Sequence, residues 1–215
     1  MPVKTVRARG LSHAFTGTGP LFTDLDLDLL PGEVVALVGP SGSGKSTLLS
    51  IIAGWVRPTA GTIEREGITH TGWVFQNPHG VPRRAALDHV VLPLIARGLH
   101  RADAEDEARS LMERFALAHV ADRPFRALSG GEAQRLMLAR ATATGSDLML
   151  VDEPTAQLDL STAGTVNAVL AGIARDDGIV VVATHDPATR DACTRVVDLA
   201  HHQAQAPSTA GQGTA

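Results

Sequence analysis

The sequence predicts an α/β domain with a mainly parallel sheet. Three observations carry that prediction. Short, β-branched apolar runs alternate along the chain with stretches of helical spacing. One of those runs ends in a glycine-rich stretch that opens straight into a helix pattern. The length, 215 residues, is about one and a half typical domains, enough for one compact domain with a small subdomain and a core that needs no disulfide or metal.

Residues 24–30 alternate Asp and Leu, and a period of two is a half-buried strand. Pro31 and Gly32 turn the chain. Val34–Val38 is fully apolar, as a parallel strand buried on both faces must be. The glycine-rich stretch 39–44 follows, then a helix pattern over Lys45–Ala53. Gly54, Pro58 and Gly61 punctuate its exit, and short strands are expected at 62–66 and 72–75. Between 82 and 128 the pattern turns helical. Ala108, Leu111, Met112 and Phe115 share one face, and Asp103 sits where an N-cap belongs. This reads as a helical subdomain, about 82–128, inserted into the α/β frame. Ser129 is placed to cap a helix over 131–143. Buried strands at 148–151 and Ile179–Ala183, a helix at 161–175 and a short strand at 196–199 complete a single domain spanning 1–200. From 201 to 215 the composition predicts a disordered tail.

Composition narrows the function. Apolar residues make up 44% and charged residues 20%, the profile of a globular chain rather than a disordered or membrane-spanning one. The net charge is −4, a poor basis for grasping nucleic acid through its phosphates. Aromatics are 3% with no Tyr, which argues against a base-stacking single-strand binder. The one cysteine, Cys193, rules out an internal disulfide framework and a multi-Cys zinc site, and it fits a reducing, cytosolic setting. No apolar run approaches the roughly twenty residues of a spanning helix or the core of about seven in a signal peptide. Work at a membrane is therefore expected to go through docking onto another chain.

Gly39, Pro40, Ser41, Gly42, Ser43, Gly44, Lys45 and Ser46, followed by Thr47, fit the P-loop pattern G-x-x-x-x-G-K-[ST]. Glycines let the backbone wrap closely around phosphates with N–H groups turned inward, and the helix that follows adds its positive N-terminal end. In this pattern Lys45 reaches the β- and γ-phosphates and the Ser46 hydroxyl binds Mg²⁺. A chance glycine-rich turn would not need a strand before it and a helix after it. The run 148–151 ends in Asp152 and Glu153, and two carboxylates at the end of a buried strand suit a Mg²⁺ site. Asp152 would support the metal, leaving Glu153 to polarise an attacking water. A strand-end acid that caps a helix or pairs with a lysine is the plain alternative; the P-loop upstream decides against it.

Leu128, Ser129, Gly130, Gly131 and Glu132, with Gln134 and Arg135, form a narrower pattern. It resembles the signature motif of ATP-binding cassette (ABC) ATPases, usually LSGGQ. With the P-loop and the Asp-Glu pair in the right order, the resemblance covers about 3–199. It implies a P-loop NTPase core with a mainly parallel sheet, an N-terminal antiparallel β subdomain and an inserted helical subdomain. Gln76 then matches the Q-loop glutamine, a Mg²⁺ ligand that senses the membrane partner. Asp159 matches the D-loop and His185 the switch histidine, at a strand end where ligands bind in such sheets. Phe15 falls where the family stacks an aromatic on adenine. Two ATPase subunits would sandwich two ATP molecules head to tail. The Ser129 hydroxyl and the Gly131 N–H of one subunit would contact the γ-phosphate held by the other. A dimer, by default a homodimer, is implied for catalysis.

The stretches 36–61 and 89–94 resemble the lipoprotein-release and macrolide-export branch. That implies a Mg²⁺-dependent ATPase on the inner face of the cell membrane, driving an integral membrane permease that itself contacts the cargo. Several departures stand out. Glu132 replaces the usual Gln and places a negative charge near the partner's nucleotide. Gln157 is bulky for a dimer contact. Arg83 and Arg84, after the Q-loop, are candidates for pairing with a permease helix. The missing Asp-Gly-Arg turn predicts a frayed last strand. Two other readings are a soluble cassette ATPase acting on ribosomes or DNA, and a regulatory module that binds ATP but barely turns over.

Overall fold

The computed structural model describes residues 3–17, 19–155, 158, 160–175 and 177–203. Two sheets organise it. β1 (Thr5–Ala14), β2 (Pro20–Leu29) and β4 (Ala60–Glu66) form an antiparallel sheet in the order β2-β1-β4. β3 (Val34–Val38), β5 (Thr71–Val74), β6 (Leu148–Asp152), β7 (Ile179–Ala183) and β8 (Arg195–Asp198) form a parallel sheet in the order β5-β6-β7-β3-β8. The helices are α1 (Lys45–Ala53), α2 (Ala86–Ala96), α3 (Arg101–Arg114), α4 (Gly130–Thr144), α5 (Leu160–Arg175) and α6 (Pro187–Asp191), with short 3-10 turns between them.

The period-two rule builds two cores on the two faces of the parallel sheet. Met149 and Val151 of β6, with Val180 and Val182 of β7, face a core shared with α2, α3, α4 and α5. Leu148 and Leu150, with Ile179 and Val181, face the other core, which α1 shares with the antiparallel sheet. Both faces are covered, so these strands are apolar throughout. α1 contributes Leu48, Leu49, Ile51 and Ile52, all buried, and ends at Gly54, whose φ of 82° lets its N–H reach the Ile51 carbonyl.

β1 was not visible as a strand in the sequence. Thr5, Val6, Ala8, Leu11 and His13 are its buried positions, and the step from 8 to 11 breaks the alternation. A bulge causes the break: Gly10 adopts φ 57° and the register with β2 and β4 shifts there. α3 corrects a second expectation. Its N-cap is His100, without a side-chain bond, and Asp103 sits inside the first turn, where its charge faces the helix's positive end. The expected stripe Ala108, Leu111, Met112 and Phe115 is buried. The last strand is not frayed: β8 pairs with β3 across four positions and Leu199, fully buried, locks the turn after it. That turn runs through His202, so residues 201–202, expected in a disordered tail, are helical, and 204–215 lie outside the described residues.

Ser129 does cap α4, and Glu132 completes a reciprocal capping box. Ser129 Oγ accepts the Glu132 N–H at 3.2 Å, and Glu132 Oε2 accepts the Ser129 N–H at 2.7 Å. His119 Nε2 lies 3.1 Å from the other carboxylate oxygen. The Ser129 N–H, helped by its hydroxyl and by His119, holds the Glu132 carboxyl below its ordinary range despite burial pulling the other way.

Gly61 has φ 83°, and a Cβ there would meet the Gly10 carbonyl oxygen at 2.4 Å. Gly32 has φ 82° with nothing within 4 Å. Gly61→Ala therefore combines strain with a backbone clash and should cost about 3 kcal/mol, against about 1 kcal/mol for Gly32→Ala. Thermal unfolding of the two variants side by side checks this, and equal losses would contradict the clash. Glu132→Gln should cost about 0.5–1 kcal/mol near neutral pH by removing charge from the helix start. Since the folded-state pKa is lowered, this stability is present above the unfolded value of about 4.3 and is lost as the pH falls through the folded one. The gap in urea midpoint between the two proteins should thus close below about pH 4; a gap independent of pH would count against it.

Candidate functional site

In a parallel sheet all strands deliver their carboxyl ends to the same edge, and loops leaving neighbouring strands meet there. Here β3 delivers the glycine loop, β6 delivers Asp152 and Glu153, β7 delivers Thr184 and His185, and β5 delivers Gln76. Asp152 pairs with Ala183 and Ala183 with Leu37, so three of these loops depart at one level. The Thr184 N–H bonds the Leu37 carbonyl at 3.1 Å and the Glu153 N–H bonds the Ala183 carbonyl at 2.9 Å, extending the ladder into the loops. They enclose a cleft of about 670 Å³ lined by Gly39, Pro40, Ser41, Gly42, Gly44, Lys45, Ser46, Thr47, Gln76, Asp152, Glu153, His185, Phe15 and Leu21.

The loop's glycines have separate reasons. At Gly39 a Cβ would stand 2.8 Å from Ser43 Oγ, which is buried, and φ is 143°. At Gly44 it would press Leu21 and Phe22 at 3.1 Å, with φ 94°. The Lys45 ammonium rests on the Gly39 and Pro40 carbonyls, at 2.8 and 3.1 Å, and so lies across the mouth of its own loop. Burial raises the Asp152 carboxyl above its usual value; a hydrogen bond from Ser46 and the charge of Lys45 pull it down, and the neighbouring Glu153 charge pushes it up.

Glu153 is a non-glycine residue at φ 50°, a conformation that costs of order 1–2 kcal/mol. The strained turn aims its carboxylate across to His185, whose Nδ1 lies 2.8 Å from Oε2 and whose N–H donates to the same oxygen at 3.3 Å. The Glu153 side chain is 11% exposed, the His185 ring 68%. Two residues that sequence reasoning missed hold this pair of loops together. Thr155 Oγ1 donates to Asp186 Oδ2 at 3.2 Å, and Asp186 in turn caps α6 through the Ala188 and Thr189 amides. The signal was present in the sequence: an Asp one residue before a Pro that can start a helix. Leu21 in the cleft wall was also missed, since nothing distinguishes it from a core leucine.

Ser129, Gly130, Gly131 and Glu132 do not line this cleft. Ser129 and Gly130 are exposed at the start of α4. The Glu132 carboxylate bonds back onto its own helix start. Phe15 is 50% exposed at the cleft, with His13 edge-on against its ring at 5.0 Å. Asp159 and Gln157 lie outside the described residues. Cys193 donates to the Thr189 carbonyl at 3.2 Å, and burial pushes its thiol up to about 11, which leaves it unreactive.

The family described as ABC transporter matches residues 22–156. The chain is 39% identical over 210 residues to the lipoprotein-releasing system ATP-binding protein LolD 2 of Caulobacter vibrioides, covering 89% of this chain and 92% of that one. It is 35% identical over 217 residues to the macrolide export ATP-binding/permease protein MacB of Rhodopseudomonas palustris, covering 93% of this chain but 33% of that longer protein. Among solved structures it resembles an ATP-binding cassette captured as a dimer in a post-hydrolysis state with ADP and Pi. That likeness has a TM-score of 0.78 at 29% identity and covers 90% of this chain and 93% of that one. With a phosphate loop, a carboxylate pair and a histidine delivered to one edge of a parallel sheet, and with these relatives, the chain belongs to the ABC transporter family and is one of its ATP-hydrolysing subunits.

Proposed function

We propose that this chain is the motor of a membrane permease of the lipoprotein-release or macrolide-export kind, working as a pair of copies around two ATP molecules. The observation that carries the proposal is the division of the motifs. The cleft gathers the P-loop, Asp152, Glu153, His185 and Gln76, while the signature residues sit elsewhere at an exposed helix start. A second copy, facing head to tail, brings Ser129, Gly130 and Gly131 to the open side of the cleft, with the helix N-terminus of α4 toward the γ-phosphate. Similarity to a cassette captured as a dimer supports this arrangement. The D-loop residue Asp159 would lie at the same contact.

Within the cleft the loop amides and Lys45 hold the phosphates, and Phe15 offers its exposed face to adenine. Ser46, Gln76 and Asp152 supply a hydroxyl, an amide and a carboxylate, an all-oxygen set that fits Mg²⁺ completed by phosphate oxygens. Mg²⁺ bound there supplies neutralisation of the charge that develops on the β- and γ-phosphate oxygens. Glu153 takes the proton of the attacking water as its oxygen bonds the γ-phosphorus and the bond to the ADP oxygen breaks. His185, at 2.8 Å, keeps the Glu153 carboxylate aimed.

Among the described residues no helix is long and apolar enough to cross a membrane. Attachment to the inner face of the cell membrane would come through the permease. The surface that docks it would lie after Gln76, where Val81, Arg83 and Arg84 are exposed. The likeness to ATPases of lipoprotein release and macrolide export favours transport over action on ribosomes or DNA.

Glu153→Gln should lower kcat at least about 100-fold, the size of a general-base contribution, while ATP binding persists. With ATP and Mg²⁺ the variant should accumulate as a closed dimer and carry an integral membrane protein with it from native membranes. Unchanged turnover would remove Glu153 as the base. Capture of ribosomal or nucleoid material without a membrane protein would overturn the transport assignment.

A further inference from the structure

Gln134 sits on the stripe of α4 that faces β5, together with Met137, Ala141 and Thr144 one, two and three turns on. It is 3% exposed. Its Nε2 donates to the Phe75 carbonyl at 3.3 Å, gripping the chain one peptide before Gln76. The donor has to face that carbonyl, since a flipped amide would set two acceptor oxygens against each other. Oε1 is thereby directed away, and among the described residues it is buried without a partner. A buried acceptor left unpaired is destabilising, and methionine fills nearly the same volume without that penalty. The Phe75 bond accounts for the amide nitrogen, but packing gives no reason for the buried oxygen.

We propose that Gln134 is a positioning residue that couples Gln76 to the helix start carrying Ser129. In the state described here its amide nitrogen holds the Phe75 carbonyl. When nucleotide closes the cleft, the unpaired Oε1 accepts the N–H of Asn77; the N–H of Gln76 points opposite the Phe75 carbonyl across the same trans peptide, and Pro78 has none to give. α4 is a continuous helix, and Gln134 lies only about 7 Å along its axis from Ser129. A shift of Gln76 toward its ligand therefore moves the signature residues as one body with it. The same pairing joins the two walls of a groove of about 310 Å³, one formed by Trp73 and Phe75 and the other by Met137 and Arg140. A pull on either wall reaches the cleft through the same amide. The inference rests on the reading of Gln76 as a ligand in ATP hydrolysis.

The test is steady-state ATP hydrolysis by the full chain carrying Gln134→Met, Gln76→Ala or both. We expect Gln134→Met to lower kcat about tenfold while KM for ATP stays within about twofold, because the phosphate loop is untouched. The double variant should lose no more than Gln76→Ala alone, the signature of one residue acting through another. Unchanged kcat in Gln134→Met, with turnover lost in Gln76→Ala, overturns the coupling and leaves the site reading intact. Turnover retained in Gln76→Ala overturns both. A loss that only tracks the folded fraction of Gln134→Met overturns the coupling too. Should that variant fail to fold, hydrogen exchange on the Glu153→Gln chain decides. Protection at the Asn77 amide should rise at least about tenfold with ATP and Mg²⁺, and no rise overturns the proposal.

Discussion

The register of three parallel strands is the constraint on which the rest depends. β3, β7 and β6 pair so that Leu37, Ala183 and Asp152 stand at one level. The glycine loop, the His185 loop and the Asp152-Glu153 turn therefore leave the sheet together. A slip of one residue would turn every side chain of a strand to the opposite face, exchanging the two cores and withdrawing Asp152 from the cleft. The apolar packing on both sheet faces prevents that slip. Burial far from the chemistry is what holds the chemistry in place.

The site this register produces is tense and incomplete. Glu153 is held at a positive φ, and its carboxylate is occupied by His185. Lys45 lies on the carbonyls of its own loop. Burial raises the Asp152 carboxyl even with Lys45 nearby. On the proposed reading each of these groups is set out for a ligand carrying phosphate charge and a cation. The signature helix, capped by Ser129 and Glu132, instead presents its exposed start away from the cleft. In the proposed arrangement one chain holds the binding half of the chemistry and displays the other half outward.

How much of this the sequence revealed follows from local physics. Strands buried on both faces are continuous apolar runs, so β3, β6 and β7 and the residues at their ends were readable. The capping box at Ser129 was half readable; that Glu132 closes it needed the geometry. β1 was hidden because the bulge at Gly10 breaks the period by which strands are recognised. The cap of α3 was misplaced because His100 makes no side-chain bond there. β8 was expected to fray because its security comes from β3 and from buried Leu199, not from a turn motif. Asp186 carried a local signal as an Asp before a Pro, whereas the bonds of Thr155 to Asp186 and of Gln134 to Phe75 join partners distant in sequence, which no local pattern reports.

The central claim is that a working site is built from two copies. It is tested most directly by mixing two inactive chains, Lys45→Ala, which spoils the phosphate loop, and Gly131→Asp, which spoils the signature. Each alone should be inactive, because every site in it carries the defect. An equal mixture should regain turnover, up to about a quarter of the unaltered protein. Half of the pairs would be mixed, and each mixed pair would hold one site with both halves intact. A mixture as inactive as its components, or a Gly131→Asp chain that hydrolyses ATP normally by itself, would contradict the account.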